Sequence, residues 1–514
     1  VVDLSAFDGP LFSDGYRRTV ISSDGVADAG AAYESTSAPT LRERIVRCVW
    51  FDQTLTTDKL RTDDGRKLRV VSPGWWNLEA GPDFRNASIR IAGGALVRGD
   101  VEVHIHTTGW RAHGHHKNPA YNGVVLHVVL WNDTGASSVE TAAGESTPQL
   151  TLEPYLTAPL PDLVEDVDPA EYPEAGDASK GDCQSLLQSG AVTVEWLAHF
   201  LDHAGDHRIV QKARRLAQRR LEDDDPLLYE GIAACLGYKR NKAPLLDLAR
   251  RLPLAALRSR VQGYSVNSDR RLAVEALLFG MAGLLPDPAD ATDDAGAERI
   301  ERLQALWTDL GGDLAEDAMD ARQWSFDGTR PTNFPTRRIA ALAALTADHL
   351  QSGLGAAILR AMGPPVGGAP SPREASRRRA DLLEVFLSLH DPFWDFRYRL
   401  DAPAMSRGSR LIGGDRAKTI VIDAILPALL YRARRDTDRP LEELLRGFYA
   451  RFPALPSSSI TRFMALRLFG RPERELKTLR SARRQQGLYQ VYVDFCDSET
   501  ATCGACPLLK LLKP

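Results

Sequence analysis

The chain has 514 residues, more than a single hydrophobic core usually organises, and its 43% hydrophobic and 26% charged content is that of a folded, water-soluble protein. No apolar run approaches the ~18–20 residues of a membrane span, and no basic-then-apolar leader opens the sequence, so a cytoplasmic protein with no membrane partner is expected. The net charge of −4 conceals an asymmetry: residues 1–190 hold 27 acids against 16 Lys and Arg, and the remainder 41 against 48. A basic C-terminal portion suits an anionic partner such as DNA or RNA, and equally a set of solvated helix faces.

Residues 1–40 are rich in Ala, Ser, Asp and Gly without apolar periodicity and read as a flexible segment. Leu41–Thr54 follows with the pattern of an amphipathic helix, Ile45, Val49 and Trp50 on one side. Lys67–Val71, Ala87–Ile91, Ala95–His106 and Val124–Trp131 read as strands, with Pro148–Leu152 a short addition. Pro73-Gly74, Gly93-Gly94 and the Gly114–Gly123 loop separate them. Residues 156–190 form an acidic, proline-bearing linker. From 191 to 487 apolar residues recur at three and four, which predicts a large α-helical domain. The tail, 488–514, carries three of the six cysteines.

Chemistry concentrates between Pro82 and His127, where six of the eleven histidines fall. In Val101–His106 apolar and polar residues alternate, so a strand places Glu102, His104 and His106 on one face and Val101, Val103 and Ile105 on the other. Asp83, nineteen residues before Glu102, starts the neighbouring strand and can meet it across the ladder. Two carboxylates hold Mg²⁺ or Mn²⁺, and an adjacent imidazole orients or deprotonates water. His127 interrupts an apolar strand and therefore needs a buried partner, which adds it to the candidate site. His113, His115 and His116 fall in a loop and read as accessory. A cupin reading of His104-Ile105-His106 lacks the carboxylate that should follow, since Thr107–Arg111 offers none.

Pro82-Asp83 followed by Glu102-Val103-His104 resembles the restriction-endonuclease-like superfamily, whose core is Pro-Asp, a variable gap, then (Asp/Glu)-x-Lys. The resemblance implies a small mixed-sheet nuclease module at 41–155, in which Asp83 and Glu102 bind metal and His104 takes the lysine's place. The fold class expected is α+β, with that module preceding the helical domain. Imidazole lacks the permanent charge of lysine, so a non-catalytic nucleic-acid- or protein-binding scaffold on a degraded nuclease fold is the alternative. Ala80–Phe84, Gly99–His104, Asn118–Asn122, Leu236–Lys242 and Arg330–Pro335 also resemble an uncharacterised bacterial family, domain of unknown function 2851.

Cys496-x6-Cys503-x2-Cys506 has the bite of a metal or cluster site, with Cys183 the leading fourth ligand. The spacing resembles the iron–sulfur loop of helix-hairpin-helix DNA glycosylases, whose fourth cysteine would fall at Leu512. An iron–sulfur cluster and Zn²⁺ are both compatible with it. Lys239, Arg240, Lys242, Arg337 and Arg338 are the candidate nucleic-acid contacts, with Tyr238 and Phe334 placed to stack on bases.

Overall fold

In the computed structural model, the described residues are Tyr16, 43–77, 81–157, Leu160, Leu163, 183–218, 223–238, 240–326, 330–365, 370–471, Glu473, 476–496, Cys506 and 508–509. The expected flexible segment 1–40 lies outside them apart from Tyr16, as do most of 156–190 and of the tail. The chain is α+β and divides into two units. One comprises Arg18–Leu197, Ser457–Lys477 and Leu488–Pro514, the other Val1–Arg17, Ala198–Pro456 and Thr478–Gly487.

The first unit is built on a mixed sheet. Helix α1 (Glu43–Asp52) precedes strands β1 (Leu68–Ser72), β2 (Trp75–Trp76), β3 (Phe84–Ile91) and β4 (Val97–His106). A short helix α2 (Gly109–Ala112) and turns at His115–Lys117 and Pro119–Tyr121 lead to β5 (Val124–Trp131), then β6 (Ser138–Glu140) and β7 (Ser146–Thr151). The strand order is β1-β3-β4-β5-β7-β6, with β2 also paired to β3. β1, β3 and β4 are antiparallel neighbours, whereas β4, β5 and β7 run parallel. A parallel pair cannot be closed by a hairpin, so 107–123 must cross over the sheet. That crossover covers the polar face.

Alternation sorts the two faces. Val101 and Val103 of β4 and Leu126, Val128 and Leu130 of β5 enter one core with Ile45, Val49 and Trp50 of α1. Their alternates Glu102, His104 and His127 point the other way and are nevertheless buried. Register aligns Glu102 with His127 and His127 with Gln149, so three polar side chains stand in a row across β4, β5 and β7.

The second unit is helical, its core drawn from Leu227, Leu277, Leu342, Ile422 and Leu445 among many others. Its helices track the three-and-four periodicity, as in Asp224–Leu236, Asn267–Met281, Pro335–His349 and Arg439–Ala450. Residues 194–204 and 208–218 belong to a single helix, Val194–Gln218. Gly205 does not break that helix; a Cβ there would meet the Arg483 carbonyl oxygen at 2.0 Å, so the glycine permits a close approach. Among the described residues no helix is long and apolar enough to cross a membrane.

Candidate functional site

The polar face of β4 and β5 is closed by the crossover segment, which its own local chemistry shapes. Thr108 starts it by donating its amide and hydroxyl to Asp133 at 3.1 and 2.6 Å. Gly109 lies so close to His104 that a Cβ would sit 2.7 Å from the ring. Gly114 turns the chain in the left-handed region at φ +76°, which delivers His115 to the sheet. Asn118 then caps the Pro119–Tyr121 turn by accepting from the Ala120 amide. Trp110, buried and donating its indole N–H to the Glu140 carbonyl, packs against His115, His127 and Tyr121. Tyr121 stacks on His115 with ring centroids 3.8 Å apart.

Beneath this cover four side chains converge. One nitrogen each from His104, His113 and His115 lies within 4.8 Å of the other two. Glu102 Oε1 stands 3.0 Å from His115 Nε2 and 3.7 Å from His104 Nε2. His104 Nε2 is 3.2 Å from His113 Nδ1. Glu102, His104 and His115 are buried, while His113 is exposed and marks the mouth. Neither ring nitrogen of buried His115 makes a hydrogen bond, although Glu102 Oε1 lies 3.0 Å from Nε2. Burial, reinforced by His127, His115 and His113, lowers His104 to about 2. Burial also lowers His115 and His127 to about 4, so all three are neutral near pH 7. Tyr121 is pushed up to about 12 by burial and then by the nearby Glu102 and Asp83 carboxylates. Neutral imidazoles with lone pairs and one carboxylate are the donor set of a transition-metal ion.

Asp83 has a different position. Its Oδ2 accepts from the Val103 amide at 3.0 Å and its Oδ1 lies 3.2 Å from Arg47 Nε. Its own amide donates to Glu102 Oε2 at 3.0 Å. Asp83 therefore orients Glu102, with its carboxylate engaged by a cation and an amide. The groups turned toward Glu102 Oε1 are the His104 and His115 ring nitrogens, at 3.7 and 3.0 Å.

Behind His104 lies a second set of groups. His104 Nδ1 is 2.9 Å from His127 Nε2, and His127 Nδ1 is 3.0 Å from Gln149 Oε1. Gln149 Nε2 donates to Asp63 Oδ2 at 2.8 Å. His127 thus finds the partner its burial demands. His106 does not join the cluster: it is exposed at the end of β4, its ring stacked 5.4 Å from Trp131. His113 and His115, which sequence reasoning left as accessory, are at the centre; the His-x-His spacing straddling a turn was the available signal. Gln149 and Asp63 carried none.

The basic residues separate sharply. Arg337 is fully buried and donates to the carbonyls of Trp394, Arg397, Ser409 and Arg410. Arg338 is buried as well and donates to the carbonyls of Leu411 and Thr332 and to Asn333 Oδ1. Neither guanidinium is presented to a phosphate; both are internal staples, which corrects their assignment as nucleic-acid contacts. Arg240 is exposed, Lys242 half-buried, and Lys239 lies outside the described residues. Tyr238 has Arg416 3.2 Å from its ring centroid, so one stacking face is taken, and Phe334 packs edge-on against Phe326. Cys183 opens helix Cys183–Gln188, Cys496 ends the turn Tyr492–Cys496, and Cys506 is buried with Sγ 3.9 Å from the Phe495 carbonyl oxygen. All three fall in the sheet-bearing unit, and Cys503 lies outside the described residues.

Neither a curated protein nor a solved structure matches the chain. A family model described as a protein of unknown function (DUF2851) matches residues 43–454, which takes in both the histidine-lined face and most of the helical unit. By that match over most of its length, the chain belongs to the DUF2851 family.

Proposed function

We propose that the sheet-bearing unit is a metal-assisted phosphodiester hydrolase, a nuclease-like activity that processes DNA or RNA. The observation that carries this reading is the convergence of Glu102, His104, His113 and His115 under the crossover, with His113 open to solvent. The element order supports it further: α1, three antiparallel strands, a crossover, then a parallel strand, with Asp83 at the head of β3 and Glu102-Val103-His104 in β4. That is the order in which a restriction-endonuclease-like core would carry its Pro-Asp and (Asp/Glu)-x-Lys elements, with His104 in the lysine's place.

A cation bound among these side chains would supply a polarised water and offset charge on the phosphoryl oxygens. Glu102 and the three imidazoles would hold it. Asp83 positions Glu102, and Trp110 and Tyr121 keep bulk water from the buried side of the cluster. Exposed Arg111 and Lys117, on the crossover itself, offer positive charge to a backbone phosphate. The cysteines Cys183, Cys496, Cys503 and Cys506 are proposed as a separate centre for Zn²⁺ or an iron–sulfur cluster, distinguishable by iron content and colour.

The test is a cleavage screen of the purified chain with Zn²⁺, Mn²⁺ or Mg²⁺ against labelled single- and double-stranded DNA and RNA. Cleavage that Glu102→Gln abolishes, in a variant with unchanged circular dichroism, supports the hydrolase. Nucleic-acid binding without cleavage under every metal overturns it in favour of a scaffold.

A further inference from the structure

Polar residues at the back of a site carry information when their hydrogen bonds have a forced direction. Gln149 Nε2 donates to Asp63 Oδ2 at 2.8 Å and to the Ala136 carbonyl at 3.2 Å. Asp63 is itself fixed, since it accepts from Thr151 N, Thr151 Oγ1 and Asn132 Nδ2, each within 2.9 Å. The amide of Gln149 cannot flip without turning its oxygen onto two acceptors, the Asp63 carboxylate and the Ala136 carbonyl, so its Oε1 must point at His127. An acceptor at that place requires a proton on His127 Nδ1. His127 is fully buried with no carboxylate against either ring nitrogen, so it is neutral and its Nε2 is a bare acceptor. His104 Nδ1, 2.9 Å away, must then be the donor. His104 is buried too and holds a single proton, so its Nε2 presents a lone pair toward Glu102, His113 and His115.

We infer that Asp63, Gln149 and His127 form an orienting relay that locks His104 in its Nδ1–H form, so that Nε2 ligates a borderline transition-metal ion of the Zn²⁺ class together with His113, His115 and Glu102. The inference deepens, and rests on, the reading of this face as a cation site. Two further observations carry it. Ligand atoms on a tetrahedral Zn²⁺ lie about 3.3 Å apart, from Zn–N and Zn–O lengths of ~2.0–2.1 Å. The contacts here are 3.0 Å for Glu102 to His115, 3.2 Å for His104 to His113 and 3.7 Å for Glu102 to His104, already close to such edges. His115 is buried with neither ring nitrogen in a hydrogen bond, a cost that a ligand at the cluster removes. Three nitrogens with one carboxylate disfavour Mg²⁺, which takes six oxygens in a near-octahedral shell. Each ligating histidine wants its other nitrogen held, and the relay does this for His104.

The experiment uses the full chain stripped with a chelator. First, two-bond ¹H–¹⁵N spectra of histidine-labelled protein read the tautomers: His104 and His127 are expected as Nδ1–H, and an Nε2–H signal from His104 overturns the relay. Second, Co²⁺ titration reads the site, because a nitrogen–oxygen set gives visible d–d bands without the near-ultraviolet thiolate charge transfer that the cysteines would add. One such Co²⁺ per chain is expected, displaced by Zn²⁺ and indifferent to millimolar Mg²⁺. Gln149→Met should weaken that binding 10–100-fold. His113→Asn, at an exposed position, should weaken it comparably with an unchanged melting temperature, and keeps the test decisive if the Gln149 variant misfolds. Absence of the bands in the wild type, or unchanged affinity in His113→Asn or in folded Gln149→Met, overturns the proposal. Intact Co²⁺ binding without nucleic-acid cleavage overturns only the hydrolase reading.

Discussion

The two units handle buried cationic and imidazole side chains in opposite ways. In the helical unit, three buried arginines spend their donors on main-chain carbonyls, Arg337 on four of them, Arg338 on two, and Arg378 on those of Met362 and Pro364, while buried Arg397 and Arg434 pair with Asp293 and Glu442. Arg483 is half-buried and pairs with buried Asp206. These residues stitch loops to helices and leave nothing for a ligand. On the sheet, buried His104 and His115 face one another and a carboxylate, with ring nitrogens turned into a shared space. A run of charge in a sequence says little about function until its partners are known. The difference is whether the polar groups are consumed by the fold or left converging.

That contrast breaks most severely at Arg337. Arg337→Met strands the carbonyls of Trp394, Arg397, Ser409 and Arg410, and a loss of about 3–4 kcal/mol in urea unfolding of the helical unit is expected. Co²⁺ affinity of the protein that remains folded should be unchanged. A variant as stable as the wild type would return Arg337 to the pool of surface contacts.

Gly109 sharpens the other half of the comparison. Gly109→Ala places a methyl group 2.7 Å from the His104 ring, which must tilt away from His127 or from the cluster. Weaker Co²⁺ binding by about tenfold is expected, equivalent to ~1.4 kcal/mol, with little change in helical-unit stability. Equal affinity in the variant would mean that His104 is not held by this contact. The smallest effect belongs to His106, which stacks on Trp131 outside the cluster. His106→Ala should leave metal affinity and cleavage within error, and a loss of either would restore it to the site.

Much of the sheet could be read from alternation alone. Val124–Trp131 appears with the bounds its apolar pattern predicts, and Lys67–Val71 and Ala95–His106 shift by only a residue or two. Side-chain facing on β4 followed from period two, which brought Glu102 and His104 into view together. The same argument overreached at His106, because alternation fixes the face but not how far along the strand the cover extends. His113 and His115 were hidden for the opposite reason: their approach depends on Gly109, Gly114 and a crossover that only a parallel β4–β5 pair requires. Gln149 lies 22 residues beyond His127, joined to it by strand register, and Asp63 lies 86 residues before Gln149 in a turn, and no local pattern encodes either link. Helix Leu354–Met362 starts between two glycines, Gly353 and Gly355, where Asp225 accepts from the Leu354 and Gly355 amides and so holds the helix start.

The most direct measurement is anomalous diffraction at the zinc edge from crystals of the full chain grown with Zn²⁺. The account predicts a peak about 2.0–2.1 Å from His104 Nε2 and from one nitrogen each of His113 and His115, with Glu102 completing the shell and Asp83 still bound to Val103 and Arg47. A peak on Asp83 without histidine, or no peak beneath the crossover, would contradict it.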